Sequence, residues 1–280
     1  MNKNAAIKKV TRHVILIAVS FIMVYPILWM FFSSFKPDSE IFSTASLWPD
    51  NWTFEHYLSG FGQDAAMNFG PMFFHSLLLS LVVVVGTVFS STLTGFAFAR
   101  LNFTPRRFFI GFMLGTMMLP AQVVMIPQYI IFQKIDLVNT FIPLMLPSFL
   151  ATTPFFIYLM VQFIRGIPKD LDEAALIDGC NTFQLFRSVI LPLAQPALIT
   201  MSIFAFYWTW NDFFGQLIYL SDPNKYTISL GLSMFMTTLG DSQYGNLFAM
   251  SILSVVPVFI IFLIFQRYLV EGIATHGLKG

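Results

Sequence analysis

The sequence predicts an all-α membrane protein with six transmembrane helices, and three observations predict it. First, 10% of its 280 residues are charged and 56% are hydrophobic, whereas a soluble domain carries about a quarter charged residues. With 34 phenylalanines and a mean hydropathy of +0.73, the chain has more apolar surface than a water-facing protein of this length can hide. Second, six stretches approach or exceed the roughly 20 apolar residues needed to cross about 30 Å of hydrocarbon. Third, runs such as Leu77-Leu78-Leu79-Ser80-Leu81-Val82-Val83-Val84-Val85 do not alternate, which a membrane β-barrel requires. The same hydrophobicity excludes intrinsic disorder. A net charge of +1 gives no reason to expect a nucleic-acid partner. The single cysteine, Cys180, excludes a disulfide framework and a cysteine metal site.

In chain order the expected spans are Val14 to Phe32, Phe73 to Ala99, Phe108 to Phe132, Phe141 to Ile164, Ala197 to Leu220 and Leu247 to Phe265. Together they make one transmembrane domain over residues 1–280. The first follows Lys3, Lys8, Lys9 and Arg12 and so has the flanks of a secretory signal. Its 19 mainly apolar residues run straight into Ser33-Ser34-Phe35-Lys36-Pro37, longer than a cleavable h-region of 7–15 residues, so an uncleaved span is expected.

Basic residues set the orientation. With a cytoplasmic N-terminus, Lys3, Lys8, Lys9, Arg12, Arg100, Arg106, Arg107, Arg165, Lys169, Arg187, Arg267 and Lys279 fall inside, and only Lys36, Lys134 and Lys225 outside. Both termini are therefore expected in the cytoplasm. The first external loop, Lys36 to Gly70, is long enough for short structure, and its Trp48 and Trp52 suit an interfacial aromatic belt. A second external loop, Ser221 to Gly245, reads as polar.

Within the spans, Gly86, Ser90 and Thr94 form one small-residue face, and Gly111 and Gly115 another. Such faces let membrane helices approach closely; packing within the chain is the first expectation and packing on a second membrane subunit the other. Pro26, Pro120, Pro127, Pro147, Pro154 and Pro257 lie in or near spans, where each removes a backbone donor and can kink its helix.

The loop from Arg165 to Pro196 stands apart from the other inner connections. Asp170 and Glu173 have the spacing of a capping box. Leu171, Ala174, Ala175 and Asp178 continue a helix for about two turns, and Gly179 sits where a left-handed glycine ends one. Asn181 and Gln184 repeat the cap and open a second helix through Phe183, Phe186 and Ile190. Pro192 and Pro196 then redirect the chain. Ala174-Ala175 offers little side-chain bulk, so the loop has the character of a docking knob.

Glu173-Ala174-Ala175, Asp178-Gly179 and Ile190-Leu191-Pro192 closely resemble the EAA loop of permease subunits in binding-protein-dependent ABC importers. The six spans, the Trp-Asn element late in the fifth and the tail Phe265-Gln-Arg-Tyr-Leu-Val-Glu-Gly resemble the smaller permease of the maltose-type, carbohydrate-importing subfamily. Cys180 departs from the small alanine usual there. The resemblance implies a type I ABC importer permease fold in the cytoplasmic membrane of a prokaryote. It makes Glu173, Ala174, Ala175, Asp178, Gly179, Leu191 and Pro192 the ATPase-coupling residues. The implied partners are a second, homologous permease, two ABC ATPase subunits, an external solute-binding protein facing the second external loop, and a carbohydrate cargo. A different cargo, such as glycerol phosphate or a polysaccharide fragment, keeps the same architecture.

Nothing in the chain supplies the energy. Gly272-Ile-Ala-Thr-His-Gly277 is followed by Leu278 where a P-loop needs lysine, so the chain is expected to be a non-catalytic subunit without a cofactor, ATP and magnesium being bound by its partner. His13, His56, His75 and His276 lie far apart and read as structural or solvated. The rival class is an ion-coupled carrier, which needs intramembrane ionisable residues. Only Asn211-Asp212 fits that description; a helix-bend or loop anchor is the first expectation for it and a path or gate role the other. Trp208 and Trp210, with Asn211 and Asp212, are the candidate translocation-path residues, since aromatic faces suit the apolar side of a sugar ring; lipid-facing or core packing is the first expectation for such aromatics.

Overall fold

A computed structural model of the chain describes residues 3–44, 46–62, 68–238 and 244–274, and among them every regular element is helical. The order is α1 (Lys3–Ser33), α2 (Asp38–Ile41), α3 (Glu55–Gly60), α4 (Phe69–Arg100), α5 (Arg106–Met117), α6 (Ala121–Lys134), α7 (Ile142–Phe149), α8 (Pro154–Gly166), α9 (Asp170–Ile177) and α10 (Thr182–Leu185). A π-turn, Phe186–Ile190, then leads to α11 (Leu191–Leu193), α12 (Gln195–Trp210) and α13 (Phe214–Tyr219); a 3₁₀ turn, Pro223–Lys225, precedes α14 (Ile228–Thr238) and α15 (Tyr244–Ala274).

Four helical segments are long and apolar enough to cross a membrane by themselves: Lys8–Ser33, Phe69–Arg100, Ile142–Gly166 and Tyr244–Arg267. They cover the first, second, fourth and sixth expected spans. The third expected span, Phe108 to Phe132, is not one helix: α5 and α6 meet at 105°. Pro120, extended at φ −60° and ψ 135°, opens α6, because a proline cannot continue the preceding turn's hydrogen bonding. The halves have 12 and 14 residues, about 18 and 21 Å at 1.5 Å per residue, so neither alone crosses the hydrocarbon.

The fifth expected span, Ala197 to Leu220, is also corrected. Its helix ends at Trp210, α13 is a separate short helix, and the long apolar element is the pair Thr182–Leu193 and Gln195–Trp210, bent by 73°. Pro192 and Pro196 flank that bend, as expected. Pro192 has no N–H to give to the carbonyl four residues back and its ring crowds that group; the adjoining Phe186–Ile190 turn widens into π geometry, with Leu191 N–H on the Phe186 carbonyl. Pro26, Pro127, Pro147 and Pro257 lie inside helices, while Pro154 starts α8.

The described residues fall into two compact units: Met1–Gly70 with Gly231–Val256, and Pro71–Leu230 with Pro257–Gly280. In the first, the loop after α1 carries α2 and α3, as its length suggested. Buried Lys36 donates from Nζ to the Ser46 carbonyl at 2.6 Å, and the carboxylate of Glu40 accepts from Asp50 N–H at 2.7 Å. His56 hydrogen-bonds the Lys36 carbonyl (2.8 Å) and Asn246 Oδ1 (3.0 Å), and Asp38 Oδ1 accepts from Gly245 N–H at 3.0 Å. These bonds fasten the loop to the start of α15. Trp48 and Trp52 meet edge to face beside Phe32 and remain largely exposed, in keeping with an interfacial position.

The core of the second unit joins Phe96 and Ala99 of α4, Phe156, Met160 and Ile164 of α8, Ala175 of α9, Leu185 of α10 and Ala197, Met201 and Ala205 of α12. Gly95 lets α4 and α8 touch: an added Cβ there would stand 2.6 Å from Met160 Cβ. The Gly86–Ser90 face of α4 packs within the chain, with Ser90 Oγ donating to the Ser148 carbonyl at 2.6 Å and the Phe149 ring lying where a Gly86 Cβ would be. The Gly111–Gly115 face of α5 does not: an added Cβ at either position meets nothing within 4 Å. The second loop, expected to be polar, contains the apolar helix α14, whose Ile228 and Leu230 are buried.

Candidate functional site

The loop between α8 and α12 folds as a helical knob. Pro168 precedes it and Lys169 already has helical angles (φ −71°, ψ −20°), its carbonyl accepting from Asp172 and Glu173 N–H. The expected Asp170–Glu173 capping box is therefore absent; Asp170 lies inside the first turn. Asp170, Asp172 and Glu173 put three carboxylates at the positive end of the α9 dipole instead.

The end of α9 matches the expectation in detail. Gly179 has φ +84°, a region costly for residues with a Cβ. Its N–H bonds the Leu176 carbonyl at 3.1 Å, and Cys180 N–H bonds the Ala175 carbonyl at 2.9 Å, which is the paired bonding of a Schellman motif. Two residues on, Asn181 Oδ1 accepts from Gln184 N–H at 2.9 Å while Gln184 Oε1 accepts from Asn181 N–H at 2.8 Å, closing a reciprocal capping box. Both helix ends at the corner are thus satisfied locally, so the turn is rigid.

Ala175 does not face outward as its neighbour does. It is buried in the shared core, and Ala174 alone presents the small surface. Around Ala174 the knob exposes Ile177 (86%), Phe183 (66%) and Leu176 (56%), together with the exposed side chain of Glu173. Asp178 and Pro192 are exposed and Leu191 half-buried. An exposed apolar tip of this kind on a locally capped corner is a surface feature that a monomeric soluble face seldom carries.

What holds the knob to the helices was not anticipated. Arg100, the last residue of α4, forms an ion pair with Asp172 (Nε to Oδ2, 2.8 Å) and donates from another guanidinium nitrogen to the Ile167 carbonyl (2.8 Å). The two side chains are 4% and 14% exposed. The signal available was an arginine ending an apolar span beside a loop rich in carboxylates.

The candidate path residues divide. Trp208 is partly exposed and packs on Phe155 and Phe156 at 5.3 and 4.9 Å. Trp210 is 3% exposed, stacked on Phe206 at 5.4 Å, with Phe73 against its edge. Asn211 closes α12, donating from Nδ2 to the Tyr207 carbonyl at 2.8 Å. Asp212 Oδ1 accepts from Gly215 N–H at 3.0 Å and so starts α13. Gln216, also buried, donates to the Thr209 carbonyl and accepts from Thr227. Trp210 and Asp212 therefore serve the helix break itself, and Trp208 alone of the two tryptophans keeps a free face. His13 and His75, like His56, each hydrogen-bond a backbone carbonyl. His276, Lys279 and the Gly272–Leu278 match extend beyond the described residues, as do Gly240 and Asp241.

Long apolar helices, bent pairs and a projecting helical knob define a multi-pass helical membrane protein. Residues 91–275 match the family described as "Binding-protein-dependent transport system inner membrane component", and the chain belongs to that family. It is 36% identical over 256 residues to the probable ABC transporter permease protein YurM of Bacillus subtilis, covering 91% of this chain and 84% of that one. It is 35% identical to the diacetylchitobiose uptake system permease protein DasC of Streptomyces coelicolor over 92% of each chain. To the arabinooligosaccharides transport system permease protein AraQ of Halalkalibacterium halodurans it is 33% identical, covering 94% and 93%. The fold matches a crystal structure of a bacterial ABC transporter involved in the import of the acidic polysaccharide alginate, with a TM-score of 0.86 over 96% of this chain and 98% of that one, at 22% identity. The resemblance drawn from the EAA-like loop and the spans thus agrees with the relatives: the chain is an ABC transporter permease, similar to sugar and oligosaccharide permeases.

Proposed function

We propose that this chain is one of two membrane subunits of an ATP-driven importer for an oligosaccharide. It pairs with a different, homologous permease, two ATPase subunits that bind ATP and magnesium, and an external solute-binding protein. The chain forms a single permeation domain of six spans, each bent helix pair counting as one span, with both termini in the cytoplasm where twelve of its fifteen Lys and Arg residues then lie. The α5 face around Gly111 and Gly115, open within this chain, suits close packing on the second permease.

The observation that carries the proposal is the knob: Ile177 86% exposed on a corner fixed by Gly179, beside the unburied carboxylate of Glu173. Glu173, Ala174, Ala175, Asp178, Gly179, Leu191 and Pro192 couple the chain to the ATPase. Ile177 and Leu176 enter an apolar cleft there, and Glu173 makes charge-assisted hydrogen bonds at its rim. Closure of the ATPase pair moves α9 as a rigid body. Through Arg100–Asp172 and the core around Ala175, that motion reaches α4, α8 and α12 and turns the path from inward-facing to outward-facing. Trp208 offers a face for a sugar ring, while Trp210, Asn211 and Asp212 hold the break in the helix beside it.

The test is affinity purification of the tagged full chain in mild detergent, with identification of co-purifying proteins and an ATPase assay. A P-loop ATPase and a second multi-span permease are expected. A lone chain that still transports after ATP depletion, and stops with an ionophore, would replace this reading by an ion-coupled carrier.

A further inference from the structure

A second surface lies at the root of the knob. Asn102, Thr104, Arg106, Arg107, Ile110 and Arg165 are among the residues lining a cavity of about 640 Å³, and no carboxylate lines it. The three arginines are not equivalent. Arg106 is braced: its guanidinium donates to the Phe98 carbonyl at 3.0 Å, to the Ala99 carbonyl at 3.5 Å and to Asn102 Oδ1 at 3.1 Å. Arg107 and Arg165 are exposed and form neither a hydrogen bond nor an ion pair among the described residues. Guanidiniums with free donors on one wall suit an acidic group held through paired N–H bonds.

Two sets of contacts place this cavity beside the knob. Arg106 holds the carbonyls of Phe98 and Ala99, and the next residue, Arg100, holds Asp172 of α9 and the Ile167 carbonyl. From the other side, Arg165 in the last turn of α8 precedes that same Ile167 by two residues, a separation of less than about 8 Å at 3.8 Å per Cα step. All of these residues belong to the second compact unit.

Size and charge together select the occupant. A stable protein interface uses roughly 20–30 residues a side, more than the 8 of α9 and the 4 of α10 supply, and Ala175 and Leu185 among them face the core. A protein seated on the knob therefore extends onto what surrounds it, and the cleft adjoins it. The knob exposes Asp170, Glu173 and Asp178, while the cleft presents arginines. Two signs of charge side by side set the register of a partner that carries the opposite pattern.

We infer that the cleft of Arg106, Arg107 and Arg165 takes acidic side chains of the ATPase subunit, as a second contact beside α9. This rests on the reading of the knob given above, and the experiment separates the two.

The probe is the P-loop ATPase that co-purifies with the tagged full chain. Arg107→Lys with Arg165→Lys keeps the charge and supplies amines, which a carbodiimide joins only to carboxylates in direct contact. The complex of this variant should give a cross-linked peptide between position 107 or 165 and an Asp or Glu of the ATPase. Arg107→Glu with Arg165→Glu should lower the ATPase retained at physiological salt at least fivefold, and Lys8→Gln with Arg12→Gln should leave retention unchanged. A complex of the lysine variant without that cross-link overturns the inference, as does full ATPase retention by the glutamate variant. Should native mass spectrometry show bound phosphatidylglycerol lost from the glutamate variant while the ATPase stays, the cleft belongs to lipid and the inference falls. Ile177→Asp reports on the knob alone. Full ATPase retention and coupling in that variant would bring down the knob reading itself, whereas loss there with none in the glutamate variant brings down only the cleft. If the glutamate variant does not fold, judged by loss of a monodisperse peak in detergent, the lysine cross-link decides.

Discussion

Arg100 at the end of α4 and Asp172 in the first turn of α9 stand 2.8 Å apart, Nε to Oδ2, with both side chains largely buried. The pair joins the longest helix of the second unit to the knob, and the same guanidinium holds the Ile167 carbonyl at the knob's entrance. A motion imposed on α9 would therefore reach α4 through this ion pair as well as through the core. Removing one partner of such a pair leaves the other charge desolvated, at about 3–5 kcal/mol. Arg100→Ala should therefore loosen the loop, seen as faster protease cleavage within residues 165–196, and should cut transport more than tenfold. The swap Arg100→Asp with Asp172→Arg should recover part of both; a double swap no better than the single variant would contradict a pairwise tie.

Gly179 is the second point of rigidity. Alanine can occupy its φ of +84° at a cost of about 1 kcal/mol, so Gly179→Ala should leave membrane levels unchanged and slow uptake only a few-fold. Proline is locked near −65° and lacks the N–H that bonds the Leu176 carbonyl. Gly179→Pro should abolish uptake while the protein remains in the membrane, as judged by immunoblot of the membrane fraction beside the transport assay.

Glu173 is exposed and makes no ion pair within the described residues, so changing it should not unfold the chain. Glu173→Lys reverses the charge offered to the ATPase and also opposes the dipole at the start of α9. Loss of uptake with normal thermal stability is expected, and wild-type uptake would remove Glu173 from the coupling role.

Trp208 and Trp210 should separate in kinetics. Trp208→Ala removes a partly exposed ring and should raise the half-saturating cargo concentration with little change in protein level. Trp210→Ala empties a buried stack on Phe206, a change worth about 3–5 kcal/mol, and should lower the amount of folded protein. Identical behaviour of the two would end the distinction.

Gly95 tests the core that carries the motion. A Cβ there already collides with Met160, so Gly95→Leu should force α4 from α8 and reduce thermal stability by about 1–3 kcal/mol. An unchanged melting temperature would mean that the two helices can part without penalty.

The features legible in the sequence were those fixed within a few residues. Gly179, and the exchange between Asn181 and Gln184, need only local backbone geometry, and the structure has both. The small face at Gly86 and Ser90 was legible as a packing face because its partner had only to be another helix. The Asp170–Glu173 box failed because Pro168 and Lys169 start the helix one residue earlier. Pro120 was legible as a kink site, but the full 105° break there and the end of α12 at Trp210 were not, because hydropathy continues through both and length alone cannot separate a bent pair from a straight span. The α14 helix was hidden by Asp222, Asn224 and Asp241 flanking its apolar middle. Arg100–Asp172 joins residues far apart in sequence, and no short-range pattern encodes such a pair.

Ile177 is the most exposed apolar residue of α9, the helix proposed to carry ATPase closure to the path. The most direct measurement is ATP-dependent oligosaccharide uptake by the reconstituted transporter carrying Ile177→Asp, with ATP hydrolysis followed in the same vesicles. Uptake should be lost and hydrolysis should no longer respond to the loaded binding protein, while the permease stays folded in the membrane. Full uptake by the variant, or uptake in wild type that needs no ATP, would contradict that role.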